Sequence, residues 1–424
     1  MQNFLTIFKN DKSLAIILFF VALVIRTSSC IGSYSEKGTL SWADDWYYLR
    51  MGHQIAAGNW APKSLEGVEM NVPPGLPLVV AASESVFGDS YVPIFILNIL
   101  LTSFLVPLLY FLGKEMFSRR VGISLALWSI LYQQFNFYGS RVMKEPAVFF
   151  LLPLTLYFLI RVIKRQSKLI DLLLLSVSFF LLIEFDERFF VYFPMIIISL
   201  LIFNVSKLID GVRRSLVFGG IVILLIIPWA IRDYCVFNQV IILTPRTTAF
   251  TSKLWGKNIS DTHFSDENKR QKLIAVRYQR AVEFSKQYNI PFHEFGKNEA
   301  YIKAFINFWQ PAYFYPTFIQ DGYRIEPWSL RHNVTGILLY GIFLPFYLIG
   351  LYLLYTRKLY FKFYIGLIPI IHSLVHAYMV WPLERYRAPI VFIIIMIAFW
   401  VIDEFSEKLI TAYRLKKLSE KIVA

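Results

Sequence analysis

The apolar positions of this 424-residue chain fall into runs of about twenty residues, not into strict alternation. A run of that length is what an α-helix needs to cross a hydrocarbon core. Such runs recur along the whole sequence, which excludes an outer-membrane barrel built from alternating strands of about ten residues. Hydropathy predicts about ten spans: Leu14 to Gly32, Tyr91 to Leu112, Val121 to Tyr138, Pro146 to Val162, Ile170 to Ile183, Phe189 to Val205, Leu216 to Ile231, Val334 to Tyr355, Phe361 to Val380 and Ala388 to Ile402. The fifth and sixth are short enough to tilt or to be partly re-entrant. The predicted fold class is all-α, a polytopic transmembrane helical bundle, since only such a bundle satisfies every backbone group away from water.

Composition agrees: 56% of residues are hydrophobic and the mean hydropathy is +0.52, above what a soluble surface allows. Basic residues cluster in alternate connections, at Lys9 and Lys12, at Lys114, Arg119 and Arg120, from Arg161 to Lys168, at Lys207, Arg213 and Arg214, at Arg357, Lys358 and Lys362, and from Lys408 to Lys421. By the positive-inside rule these connections, and with them both termini, are cytoplasmic. The net charge of +14 then belongs to short loops facing anionic lipid and calls for no nucleic acid. The first apolar run has no clear small-residue cleavage site and reads as a retained span, not a signal peptide. The tail after Asp403 alternates apolar and basic residues and is expected to lie along the inner leaflet. Short chain length and compact loops point to a bacterial plasma membrane.

This topology leaves two long segments outside, about 33 to 90 and about 232 to 333, well beyond the length of mere connectors. The chain thus divides into an N-terminal transmembrane module, 1–232, carrying the first loop, a large extracytoplasmic loop, 233–333, and C-terminal spans with a cytoplasmic tail, 334–424. In the first loop, Tyr47, Tyr48, Met51, Ile55 and Ala56 recur at helical spacing up to Gly58, which predicts an amphipathic helix in the interface. The Pro-rich run from Asn71 to Pro77 turns the chain back. The second loop becomes charged and helical in pattern between Ser265 and Lys286 and returns to aromatics by Trp309, as expected of a recognition loop or lid.

Candidate chemistry gathers on the same side. Asp44 and Asp45 follow the first span directly; a paired acid beside lipid suits proton transfer, and the plainer alternative is a pair of helix N-terminal carboxylates. Arg141, Lys144 and Glu145 fall at i, i+3 and i+4, so on a helix they share a face and either form part of a site or neutralise one another. Glu184, Asp186, Glu187 and Arg188 form a second acid group, with Glu184 and Arg188 at helical pairing distance. Glu384, Arg385 and Arg387 precede Pro389 and suit either phosphate contact or interfacial snorkelling. His372 and His376 are one turn apart, with no third metal ligand evident. Arg26 lies inside the first span and must reach a polar cavity or the interface. Cys30 and Cys235 both fall near the outer surface. Asn258 and Asn333 head glycosylation sequons.

Four segments carry a family resemblance: Arg26 followed by Asp44-Asp45-Trp-Tyr-Tyr48 and a Gly-Asn plus Pro-rich run; Arg141-Val-Met-Lys-Glu145-Pro; Pro228-Trp-Ala-Ile-Arg232-Asp-Tyr followed by Leu254-Trp-Gly-Lys-Asn258; and Glu384-Arg385-Tyr-Arg387-Ala-Pro389. In this order the chain resembles the GT-C class of polytopic glycosyltransferases, in the branch of the protein O-mannosyltransferases and lipid A aminoarabinose transferases. It lacks the C-terminal domain of the larger members. The resemblance implies transfer of a sugar from a polyprenyl-phosphate donor to a glycan, lipid or protein acceptor on the outer face. It implies Asp44 or Asp45 as base, with a slight preference for Asp44, and Glu145 as a second active-site acid. Arg385, Arg387, Lys144 and Arg141 would clamp the donor phosphate, and Arg26, Tyr48, Arg232, His376 and Glu384 are possible substrate contacts. A single displacement would invert the anomeric centre. No cofactor is implied, and a divalent metal stays open.

Two other classes share these features. A lipid-linked glycan ligase or polymerase would use a diphosphate donor with external arginines, and a polytopic carrier or flippase would share the spans and basic loops. A carrier places its ionisable groups near the bilayer midplane, whereas here they gather at one boundary.

Overall fold

The computed structural model describes residues 10–37, 43–60, 73–164, 169–203, 208–237, 297–314, 317–319, 323–325, 328–378 and 384–423, with a few positions between 275 and 286. The segment around Asn258 and most of the charged stretch from Ser265 to Lys286 lie outside it. The architecture is almost wholly helical, and the protein is an integral membrane protein: among the described residues six helices are long and apolar enough to cross a bilayer, Asp11–Gly32, Val92–Met116, Glu145–Lys164, Leu208–Cys235, Leu330–Thr356 and Arg385–Leu415.

The chain forms two compact units, 1–108 with 133–270, and 109–132 with 271–424. In the first unit, α1 (Asp11–Lys37) is followed by two loop helices, α2 (Ala43–Ala56) and α3 (Gly75–Phe87). Helix α2 ends before Gly58, whose φ of +83° suits glycine. Its buried positions are Asp45, Tyr48, Leu49, Met51, Gly52 and Ile55, and Gly52 is required there because a Cβ would sit 2.3 Å from Val80 of α3. So α2 packs on protein as well as following the span. Helix α4 (Val92–Met116) ends in the second unit.

The sequence expectation of a single span over 121–138 resolves into α5 (Arg119–Leu131), α6 (Gln133–Phe137) and a 3₁₀ turn, Tyr138–Ser140. The first unit continues with α7 (Glu145–Lys164) and α8 (Leu169–Phe185). A 3₁₀ turn, Glu187–Val191, then leads into α9 (Tyr192–Ile202) and α10 (Leu208–Phe237).

In the second unit α4 and α5 cross at Gly113 and Gly122, where a Cβ on Gly122 would meet the Tyr110 carbonyl at 2.4 Å. Close backbone approach through small residues is a usual packing device between membrane helices. Helix α11 (Lys297–Trp309) precedes a short antiparallel ribbon, β1 (Thr317–Ile319) with β2 (Tyr323–Ile325), which hydropathy gave no reason to expect. Then come α12 (Leu330–Leu339), α13 (Leu344–Thr356), α14 (Tyr360–Gly366), α15 (Ile368–Tyr378), the one-turn α16 (Glu384–Arg387) and the long α17 (Val391–Val423).

Basic connections converge on one end of α17. Arg120 pairs with Glu407 at 2.7 Å and Asp403 at 3.4 Å, and Arg357 pairs with Glu404 at 2.9 Å. These are exposed pairs of small energetic weight, but they bring two of the basic clusters seen in the sequence to a common level. Beyond them α17 continues unbroken to Val423.

Asn333 is 1% exposed. It spends its amide on backbone, accepting from Tyr313 N at 2.8 Å and donating to the Tyr313 and Trp328 carbonyls at 3.1 and 3.2 Å. In the folded chain this side chain is therefore turned inward and holds the 313–333 connection together. Cys30 is buried, Cys235 is exposed, and neither is in a disulfide.

Candidate functional site

The first unit gathers the sequence's acid and base candidates. The N-terminus of α3 rests on the C-terminal end of α8: a Cβ on Gly75 would lie 2.5 Å from the Glu184 carbonyl. Glu184 is followed by Asp186, which caps the next 3₁₀ turn by accepting from Arg188 N at 3.2 Å. Asp186 is 2% exposed and is held from two sides, by Lys144 Nζ at 3.2 Å and by the Arg188 guanidinium, whose Nε donates at 2.7 Å while a second nitrogen bonds Oδ2. Burial pushes the Asp186 carboxyl up, but Arg188 and Lys144 together hold it far below the ordinary carboxylate range. It is a committed anion.

Three further carboxylates near these elements are buried: Glu145, Glu184 and Glu187, at 4%, 7% and 7% exposure. Glu184 lies past the apolar run of α8. Burial, assisted by the negative charge of Asp233, pushes its carboxyl up to about 8, so near neutral pH it carries its proton. Asp233 is in turn bonded by Arg232, whose Nε also donates to the Trp60 carbonyl at 2.7 Å and whose guanidinium stacks on Trp229 at 4.8 Å.

Two sequence expectations are corrected here. Arg141, Lys144 and Glu145 do not share a helix face: Arg141 is extended, with φ −137° and ψ 153°, and the helix begins only at Glu145. Gly139 and Ser140 end the preceding turn, and Lys144 caps α7 by accepting from Val148 N at 3.1 Å. Lys144 is thereby turned to Asp186, while Arg141 stacks on Phe137 at 4.6 Å and its carbonyl accepts from Asn98 at 2.7 Å. Likewise Arg188 pairs with Asp186 and not with Glu184, because α8 stops at Phe185.

The acid pair sits in the first turn of α2. The Asp45 side chain is fully buried, on the face shared with Tyr48, Leu49 and Gly52; the side chain of Asp44 lies outside the described residues. Arg26, 1% exposed inside α1, bonds the Asn136 side chain of α6. This explains an arginine within a span: a broken helix supplies its polar partner.

In the second unit Arg385 and Arg387 share the one-turn α16 yet differ. Arg385 is half-buried, stacks on Tyr386 and donates to its hydroxyl at 3.0 Å. Arg387 is 1% exposed, lies over the Tyr340 ring at 4.1 Å and donates to the Phe308 and Gln310 carbonyls at 2.8 and 2.6 Å. His372 and His376 are buried, packed at a tilt against each other and against Phe308, and their ring nitrogens meet the Tyr386 and His372 carbonyls at 2.9 Å. The Glu384 side chain lies outside the described residues. No group of three or more His, Cys, Asp or Glu placed to hold a metal occurs among the described residues.

Asp233 and Asn136 were not among the residues singled out from the sequence. Their signal was available in part, as polar groups at the ends of apolar runs, but nothing local marked which of them would be buried.

With this geometry in view, residues 71–231 match the family described as dolichyl-phosphate-mannose-protein mannosyltransferase. That segment runs from just before α3 through most of α10. No curated protein matches the chain in sequence. Among solved structures, the oligosaccharyltransferase AglB from Archaeoglobus fulgidus, in complex with an inhibitory peptide and a dolichol-phosphate, superposes at a TM-score of 0.56 and 13% identity, over 96% of this chain and 52% of that one. The apo form of the A. fulgidus enzyme gives 0.57 at 14% identity, over 95% and 52%. The chain shares the fold of these A. fulgidus structures. ArnT from Cupriavidus metallidurans, bound to undecaprenyl phosphate, gives a looser TM-score of 0.42 at 12% identity, over 92% and 77%. The chain spans about half the length of the A. fulgidus enzyme.

Proposed function

We propose that this protein is a membrane glycosyltransferase that moves a sugar from a polyprenyl-phosphate carrier to an acceptor hydroxyl on the extracytoplasmic face, with inversion. The observation that carries the reading is the family match over 71–231, which covers α3, the Glu145 turn and the acid group after α8. Nucleotide sugars are cytosolic, so transfer on the far side of a membrane needs a donor that crosses on a lipid.

The division of labour follows from the chemistry. A loop-1 carboxylate takes the proton of the acceptor hydroxyl as that oxygen attacks the anomeric carbon, and Asp45 or Asp44 is assigned this role. Glu145, at the start of α7, is the second acid. A phosphate leaves without needing a general acid, so positive charge on the leaving side matters more. Arg141 is the candidate of the first unit to meet it, because Lys144 already serves Asp186. Fold likeness to an oligosaccharyltransferase keeps a diphosphate-donor ligase as the second reading.

In a strain lacking the protein, lipid-linked glycan analysis is expected to show accumulation of one polyprenyl-phosphate sugar and loss of one envelope modification. An unchanged polyprenyl-phosphate sugar pool, or accumulation of a diphosphate-linked species, would contradict the monophosphate assignment.

A further inference from the structure

The end of α11 combines a strong attachment with a built-in penalty. Arg387, wholly buried, caps the helix from outside: its Nη1 donates to the Phe308 carbonyl, one of the last acceptors of α11, and to the Gln310 carbonyl just past the helix end, neither of which has a continuing helix to serve. Charge-assisted bonds to helix C-terminal carbonyls are favoured by the dipole as well as by geometry. The guanidinium rests on Tyr340, and Phe308 packs on the His372 and His376 rings. On the same turn Asn307, 1% exposed, has neither its Nδ2 nor its Oδ1 bonded among the described residues. A buried amide without partners opposes burial. Its penalty is relieved once α11 lifts and water reaches it.

We propose that α11 is a releasable element of the second long loop, with Arg387 as the positioning residue that docks it and Asn307 as the group that keeps docking reversible. Arg387 thereby acts on the protein's own carbonyls and not on a donor phosphate. The opposed contributions make a two-sided test. Rising amide exchange reports lifting, since exchange follows the open population.

Full-length protein in nanodiscs is compared by hydrogen–deuterium exchange as wild type, Arg387→Lys, Arg387→Met and Asn307→Leu. Residues 297–310 are expected to exchange at least about tenfold faster in Arg387→Met, by an intermediate factor in Arg387→Lys, and more slowly than wild type in Asn307→Leu, with α13 unchanged in all. Undecaprenyl phosphate affinity, read on the same preparations, is expected to be unchanged in Asn307→Leu. Unchanged exchange over 297–310 in both Arg387 variants overturns the proposal, as does faster exchange in Asn307→Leu. A tenfold loss of undecaprenyl phosphate affinity with no change at α11 would return Arg387 to the phosphate. A wild type that does not bind undecaprenyl phosphate counts against the transferase reading alone and leaves the exchange data to decide this one.

Discussion

Asp45→Asn is expected to lower sugar transfer by about 10²- to 10⁴-fold, the range spanned by loss of a general base, while leaving the protein inserted and folded. The substitution keeps the shape of the side chain and removes only its capacity to take a proton. Asp45 is tested first because its side chain is fully buried on the packed face of α2, where a carboxylate is costly to hold. Asparagine retains a polar contact at the helix N-terminus, so a role limited to the helix dipole would cost about 1 kcal/mol or less in stability and leave transfer nearly intact. Initial rates with a labelled donor, alongside thermal unfolding of the same preparation, separate the two. Full activity in Asp45→Asn with loss in Asp44→Asn moves the role to Asp44. Full activity in both and in the double variant removes the loop-1 base altogether.

The second large effect is on pH dependence. Glu184 titrates at about 8 in the fold against an ordinary 4.5, because burial and the charge of Asp233 disfavour its anion. A group whose folded value is raised stabilises fully below the unfolded value and loses that contribution as pH climbs through the folded one. Stability is therefore expected to decline between about pH 4.5 and 8, at up to about 1.4 kcal/mol per pH unit from this group alone. Glu184→Gln keeps the neutral form at every pH and is expected to flatten that decline. Thermal unfolding of both proteins from pH 5 to 9 checks it; parallel curves would show that Glu184 is ionised throughout. Asp186 contributes nothing in this window, since its pairing with Arg188 and Lys144 holds it far below the range.

Much of the architecture was legible because a membrane imposes one simple demand. Runs near 14–32, 91–112 and 146–162 reappear as α1, α4 and α7, since twenty apolar residues have no alternative to a spanning helix. The breaks were less legible. Hydropathy left gaps at 139–145 and 184–188, and helical spacing carried across those gaps put Arg141 with Glu145 and Glu184 with Arg188, where the chain turns instead.

Those turns are where the candidate site lies. The residue types at Lys144, Glu145, Glu184 and Asp186 could be singled out from sequence, but not the pairing that commits Lys144 to Asp186. Arg385 and Arg387 show the same limit. They are two residues apart in one motif, yet one is half-buried and the other wholly buried, because a single helical turn aims them apart. Sequence spacing alone gave both the same task.

In the proposed reaction the donor is a polyprenyl monophosphate sugar, and the protein transfers that sugar. The most direct measurement incubates purified protein in nanodiscs with a radiolabelled polyprenyl-phosphate sugar and envelope acceptors, and resolves the lipid product. Stoichiometric release of polyprenyl monophosphate with label in a glycosidic product of inverted configuration is the predicted result. Release of a diphosphate lipid from a diphosphate donor only, or movement of intact donor across the bilayer with no label transferred, would contradict it.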